Sequence, residues 1–154
     1  MTDMDTGPLS PPLGSTQNPD LRTLARLVGT WQVSGEATGQ VRYEWTEGGF
    51  FLIQQFDLLH GDRAIRGIEV IGHLHPFGGE PSADIHTRVY SFTDGLTLDY
   101  VYDLTGDTLT IWAGHRGSPS FYRGTFGEGD QTVTGGWTWP GGGYRTDMTR
   151  VESP

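Results

Sequence analysis

The chain has neither cysteine nor lysine among its 154 residues. Without cysteine there is no disulfide, no thiolate nucleophile, no iron–sulfur cluster and no cysteine-held zinc. Without lysine the protein offers no Schiff base, which excludes pyridoxal-phosphate chemistry. All ten basic residues are arginine. No apolar run reaches the roughly 18 residues that a spanning helix needs, so no membrane helix is predicted. Met1 to Pro19 lacks the basic and apolar regions of a secretory signal, and a cytoplasmic location is expected. Acidic residues outnumber basic ones, 19 to 10, for a formal charge of −9. The basic residues form no patch, so nucleic acid is not expected as a partner, and the acidic surface serves mainly solubility.

What the chain does have is glycine and aromatics: 24 Gly, 7 Phe, 6 Tyr and 5 Trp. Many turns and bulky strand residues make an all-β profile, on a length that suits one domain. Residues 1–17, rich in Pro, Gly, Ser and Thr, read as a disordered tail, and 18–154 as the single folded domain. Asn18 or Asp20 can cap a helix of about two turns, with Pro19 near its start and Leu21, Leu24, Leu27 and Val28 as its apolar face. Gly29 ends it.

About ten short strands follow, predicted near 30–37, 41–47, 50–59, 64–75, 84–92, 96–104, 107–113, 120–127, 131–139 and 143–151. Turn signals separate them at Thr38-Gly39, Gly48-Gly49, Gly61-Asp62, Asp94-Gly95, Thr105-Gly106, Glu128-Gly129-Asp130 and Pro140-Gly141-Gly142-Gly143. Adjacent antiparallel strands at this spacing predict an up-and-down barrel.

Period-two alternation assigns the faces. The Gly48-Gly49 hairpin pairs Trp45 with Leu52, Tyr43 with Gln54 and Val41 with Phe56. A loop around Gly39 aligns Val33 with Trp45. The fourth strand is predicted to turn Ile68, Val70, Gly72 and Leu74 inward. Ile85, Thr87, Val89 and Ser91 join them, with Val89 opposite Tyr100 and Thr87 opposite Tyr102. Tyr102 is placed opposite Leu109, and Tyr100 opposite Ile111. In the last hairpin Trp139 faces Tyr144, Trp137 faces Thr146 and Gly135 faces Met148, which carries Arg150 inward at the end where Trp31 enters. The inner wall then mixes apolar residues with Tyr43, Gln54, Thr87, Tyr100, Tyr102, Tyr122 and Thr146. Trp137, Trp139 and Tyr144 fall near the opposite end, the mouth.

Gly29-Thr30-Trp31 with an inward Arg150 resembles the calycin superfamily, in which an arginine near the barrel's end covers such a tryptophan. The likeness is closer to small ten-stranded nitrobindin-like and lipocalin-like bacterial proteins of unassigned function. Leu27–Glu36 is similar to their opening and Glu44–Leu52 to their second hairpin, and the resemblance spans about residues 20–152. It implies a calycin-like barrel whose Trp31 end is closed. Nitrobindins hold haem iron through a histidine on the last strand. Here that strand reads Tyr144-Arg145-Thr146-Asp147-Met148, and no histidine follows His115. Haem binding is therefore not carried over, a haem held by another histidine stays the minor alternative, and no cofactor is expected.

Several groups are candidates for chemistry. His73 and His75 share a strand face and, with Asp84 and His86 opposite, contain enough ligands for zinc. The same face opposes Leu74 and Ile85, so an exposed polar rim without metal is the expected reading. Tyr43, Gln54, Thr87, Tyr100, Tyr102, Tyr122, Trp137 and Thr146 are the expected ligand-binding set: directed hydrogen bonds in an apolar cavity. Arg66, placed inward near the mouth, and Arg88, placed outward, could pair with an anionic ligand, but a surface salt bridge is the expected role of each. Asp99 and Asp103 fall outside. No nucleophile elbow, phosphate loop or dinucleotide fingerprint is present.

The function expected is binding of a small, largely apolar molecule inside the barrel. The alternatives are a cofactor-independent cyclase or isomerase acting on a polyketide- or terpenoid-like substrate, and an interaction domain using exposed Trp112 and Phe92. The expected partner is the ligand, with neither nucleic acid nor membrane; a homodimer is left open.

Overall fold

The computed structural model describes residues 18–152. The tail expected over 1–17 lies outside the described residues. Ten strands run β1 (Gly29–Gly35), β2 (Ala37–Trp45), β3 (Leu52–His60), β4 (Arg63–Gly72), β5 (Ile85–Ser91), β6 (Thr97–Thr105), β7 (Thr108–Ala113), β8 (Phe121–Phe126), β9 (Thr132–Trp139) and β10 (Gly142–Glu152). Each pairs antiparallel with its chain neighbour, and β1 pairs with β10, so the sheet closes into an up-and-down barrel. Closure leaves no strand edge unpaired. No helix among the described residues is long and apolar enough to cross a membrane.

The helical segment is tighter than predicted. One α-helical turn, α1 (Pro19–Arg22), passes directly into a 3₁₀ turn over Thr23–Leu27. The spacing of the leucines explains it. Three residues per turn align Leu21, Leu24 and Leu27 on one edge, and all three are buried. They cover the end of the barrel where β1 begins.

Beneath them lies Trp31, fully buried, its indole Nε1 donating to the Leu27 carbonyl oxygen at 2.8 Å. The Arg150 guanidinium sits 4.2 Å from the centre of the indole ring. It donates to the carbonyl oxygens of Val28 (2.6 Å), Arg26 (2.7 Å) and Asp130 (3.2 Å). The cation thus caps the ring and ties the helical segment to the last strand, a contact worth about 1–2 kcal/mol when desolvated. Phe126 packs edge-on against Trp31, and Arg26 lies 4.3 Å over Phe126 while it pairs with Asp130. Leu52, Ile71, Ile85, Leu109 and Val133 complete this floor, each essentially inaccessible to solvent.

The hairpin arithmetic holds in detail at Gly48-Gly49, where Trp45 faces Leu52, Tyr43 faces Gln54 and Val41 faces Phe56. Elsewhere the turns sit beside their expected positions. The first reversal is at Gly35-Glu36, not Thr38-Gly39, so Val33 meets Gly39 and not Trp45. Gly39 stays inside β2 at φ +134°, where a side chain would strike the Asp57 carbonyl oxygen. In three hairpins the pairing moves by two residues: Thr87 faces Tyr100, Tyr102 faces Ile111 and Trp137 faces Tyr144. A turn displaced by one residue changes both arms, so the shift is two and the inward faces survive.

The fourth strand is the exception. Ile68, Val70, Gly72 and Leu74 do not face the interior. β3 aligns Phe56 with Gly67, Gln54 with Glu69 and Leu52 with Ile71, which turns Ile65, Gly67, Glu69 and Ile71 inward. Both faces of this strand carry isoleucine, so apolar alternation does not distinguish them. The two-residue turn that pairs His60 with Arg63 decides the face.

Candidate functional site

Above the floor the barrel is hollow, with a cavity of about 490 Å³ open at the end away from Trp31. Its size follows from strand number and from glycine. Ten strands enclose more space than a small barrel's side chains fill. On the inner wall Gly124 of β8 pairs with Gly135 of β9. A methyl group at Gly124 would lie 2.5 Å from the Tyr122 hydroxyl, so the missing side chain makes room for that ring.

The cavity has two levels. Near the mouth Trp137 lies between Tyr100 and Tyr122, with ring centroids 5.8 and 5.6 Å away. Trp139 stacks edge-on with Tyr144, and His60 lies 4.8 Å from Tyr144, so aromatic rings bridge the rim over the β1–β2 turn. Leu58, Ile65, Val89, Leu96 and Leu98 line the other side. Arg63 reaches the rim and is paired with Asp94 at 2.7 Å.

The lower level is polar and buried. Glu69, only 4 % exposed, accepts hydrogen bonds from the Thr87 hydroxyl (2.6 Å to Oε2) and the Tyr102 hydroxyl (2.8 Å to Oε1). Tyr102 also lies within hydrogen-bonding reach of Tyr43. Tyr43 in turn accepts from Gln54 Nε2 at 2.7 Å. These donors are positioned by adjacent strands: Gln54 on β3 directly opposes both Tyr43 on β2 and Glu69 on β4. The result is a continuous polar path, Gln54–Tyr43–Tyr102–Glu69–Thr87, across an otherwise apolar interior.

Burial sets the electrostatics. It pushes the Glu69 carboxyl above the ordinary carboxylate range, against the pull of the two donated hydrogen bonds. It raises the Tyr43 and Tyr102 hydroxyls well above normal, and the nearby Glu69 carboxyl adds to both. Tyr100 is pushed up to about 12 by burial and then by Glu69. Tyr122 is raised by burial as well. All four tyrosines are therefore neutral hydrogen-bonding groups at physiological pH.

Of the residues expected to bind a ligand, Tyr43, Gln54, Tyr100, Tyr102, Tyr122, Trp137 and Thr146 line this cavity. Thr87 does not. It is fully buried and holds Glu69 instead. Glu69 is absent from the expected set because apolar alternation turns the opposite face of β4 inward. Counting through the Gly61-Asp62 turn from the inward Gln54 finds it. Arg66 points outward, opposite Asp57, and it is Arg63 that reaches the rim. Arg88 is outside, bonded to Asp99 at 2.7 Å.

The histidine constellation is not assembled. His73 bonds the Ser82 carbonyl oxygen and lies 2.9 Å from Asp20. His75 reaches the Gly79 carbonyl oxygen, Asp84 pairs with Arg116, and His86 lies 3.8 Å from Asp99. Among the described residues no three His, Cys, Asp or Glu side chains gather to hold a metal ion. Trp112 is half-buried under Arg116, whereas Phe92 is exposed.

No protein-family model matches the chain, and no curated protein matches it.

Proposed function

We propose that the protein binds a small, largely apolar molecule that enters the barrel from the rim of Trp137, Trp139 and Tyr144. The observation that carries the reading is the open cavity of about 490 Å³, walled by apolar and aromatic side chains around one buried polar path. That is the size and composition of a ligand site: apolar surface for affinity and a few directed polar groups for orientation. The floor favours a calycin-like container. Trp31 under Arg150 closes one end, so exchange runs through the other.

A neutral solvatochromic dye tests this. Its emission should rise and shift to the blue with the wild-type protein. Thr146→Phe, which places a ring in the cavity, should weaken uptake at least tenfold without unfolding the barrel. A wild-type protein that takes up no dye, or a variant that takes it up equally well, contradicts the proposal.

Glu69 specifically favours a second reading, a cofactor-independent isomerase or cyclase. A dehydrated carboxyl linked to two tyrosines is equipped to move a proton to or from a bound carbonyl compound. This reading requires turnover that Glu69→Gln abolishes. Ligands recovered chemically unchanged after long incubation count against it.

A further inference from the structure

The cavity wall carries acid without matching base. Among the described residues that line it, the charged ones are Glu69, Asp94 and Arg63, and Arg63 is already paired with Asp94 at the rim. Glu69 has hydroxyl partners only. A carboxylate has about four acceptor sites, and Thr87 and Tyr102 fill two. The fold has thus dehydrated this carboxyl, aimed it at open space and supplied no cation.

A second, independent feature lies elsewhere on the same cavity wall. Tyr122 is 5 % exposed and lines the cavity, yet its hydroxyl has no hydrogen-bond partner among the described residues. Buried polar groups are rarely left so, and a buried orphan hydroxyl points to a missing partner. Toward the mouth the rings of Tyr100, Tyr122 and Trp137 cluster on the same cavity wall, and aromatic rings are the groups that attract a cation.

We propose that the molecule bound in the barrel is an organic cation, an amine carrying an apolar body, with its ammonium group on Glu69. This rests on the container reading above and narrows it. An ammonium has three donors, which suit the free acceptor sites of Glu69. Breaking a buried ion pair is costly because it strands a charge; here the stranded group is already present, and the ligand supplies its partner. An anionic ligand would meet Glu69 uncompensated. The chain's charge of −9 also favours a cation over an anion as the molecule it attracts. Besides Glu69, the titratable groups of the lower level are Tyr43 and Tyr102, with Tyr100 and Tyr122 above them, all neutral at pH 7; Arg63, Asp94 and Tyr144 stand at the rim, and Asp147 and Arg145 act on the Tyr122 hydroxyl with opposite signs. The amine alone therefore brings positive charge to the lower level.

The test is competition against the neutral dye at pH 7 with a matched pair, 4-phenylbutylamine and 4-phenylbutan-1-ol. The amine, protonated at this pH, should displace the dye from wild-type protein at a concentration at least tenfold below the alcohol. In Glu69→Gln the two should fall within about threefold of each other. If the alcohol competes as well as the amine on wild type, or the preference survives Glu69→Gln, the cationic assignment is overturned while the container stands. If wild-type protein takes up no dye and binds neither competitor, the container reading falls and the assignment with it. The wild-type comparison decides the matter even if the variant does not fold.

Discussion

Glu69→Gln should change the pH dependence of stability in a direction opposite to that of an ordinary salt-bridged carboxylate. Burial raises the folded pKa of Glu69 above that of an unfolded glutamate, about 4.3. Between those two values the folded protein holds a proton that the unfolded chain has released. Stability from this group is fully present below the unfolded value and is lost as pH rises through the folded one. One proton limits the slope to about 1.4 kcal/mol per pH unit. For a chain of this length that corresponds to roughly 3–6 °C in Tm per unit. Glutamine keeps the volume. Its oxygen accepts from one hydroxyl and its amide donates to the other, so the packing survives while the titration is removed. Asp94, Asp99 and Asp130, held below the usual range by hydrogen bonds from Ser91, Arg88 and Arg26 respectively, contribute stability that is lost as pH falls. They are common to both proteins and cancel in the difference. Urea denaturation from pH 4 to 8 should therefore show wild type losing stability relative to Glu69→Gln as pH rises. A difference that stays flat, or that favours wild type at high pH, would refute the assignment of Glu69 as a dehydrated carboxyl without a cationic partner.

Three other outcomes follow from the same geometry. Arg150→Ala strips three hydrogen bonds from the carbonyls of Val28, Arg26 and Asp130 and uncovers Trp31, and should cost about 3 kcal/mol by chemical denaturation. Arg150→Lys should recover less than half of that, because an ammonium lacks the planar fork; full recovery would show that only charge matters. Gly67→Ala should destabilise by about 1–3 kcal/mol, since the new methyl would meet the Tyr90 carbonyl oxygen and come within 2.7 Å of the Phe56 ring; an unchanged Tm would mean that β4 and β5 are spaced differently. In an alkaline titration followed by tyrosinate absorbance, Tyr43, Tyr100, Tyr102 and Tyr122 should resist ionisation above pH 10. Unfolded tyrosines release protons there and folded ones do not, so stability should fall as pH climbs past 10, with ionisation completing abruptly on unfolding.

The barrel was legible because its punctuation is local. Glycine turns fix where strands end, and a closed antiparallel meander needs little else. The Trp31–Arg150 floor was legible for a related reason: both residues lie on inward faces near the two ends of the chain, and closure brings β1 beside β10. Exact registers were less so, because glycine-rich turns such as Pro140–Gly143 offer alternative positions for the reversal. Outside β4 the inward set nevertheless survives, since each displacement is even. The one consequential failure was β4. Ile65 and Ile71 lie on one face and Ile68 and Val70 on the other, so hydrophobicity is nearly balanced, and burying a glutamate contradicts the usual cost of a desolvated charge. Glu69 is tolerated because β5 and β6 supply hydroxyls to both of its oxygens. That cross-strand supply is a property of the register, and no single strand reveals it. The most informative residue in the barrel was thus the one that alternation alone assigned to solvent.

A crystal of the protein soaked with a bromine-labelled phenylalkylamine tests the central claim most directly, because anomalous scattering locates the bromine without reference to the rest of the structure. The expected result is one strong peak inside the barrel, near Trp137 and between Tyr100 and Tyr122, with the amine nitrogen within hydrogen-bonding distance of Glu69. A barrel interior without bromine, in crystals whose protein is intact and whose Trp31 floor is closed, would contradict the account.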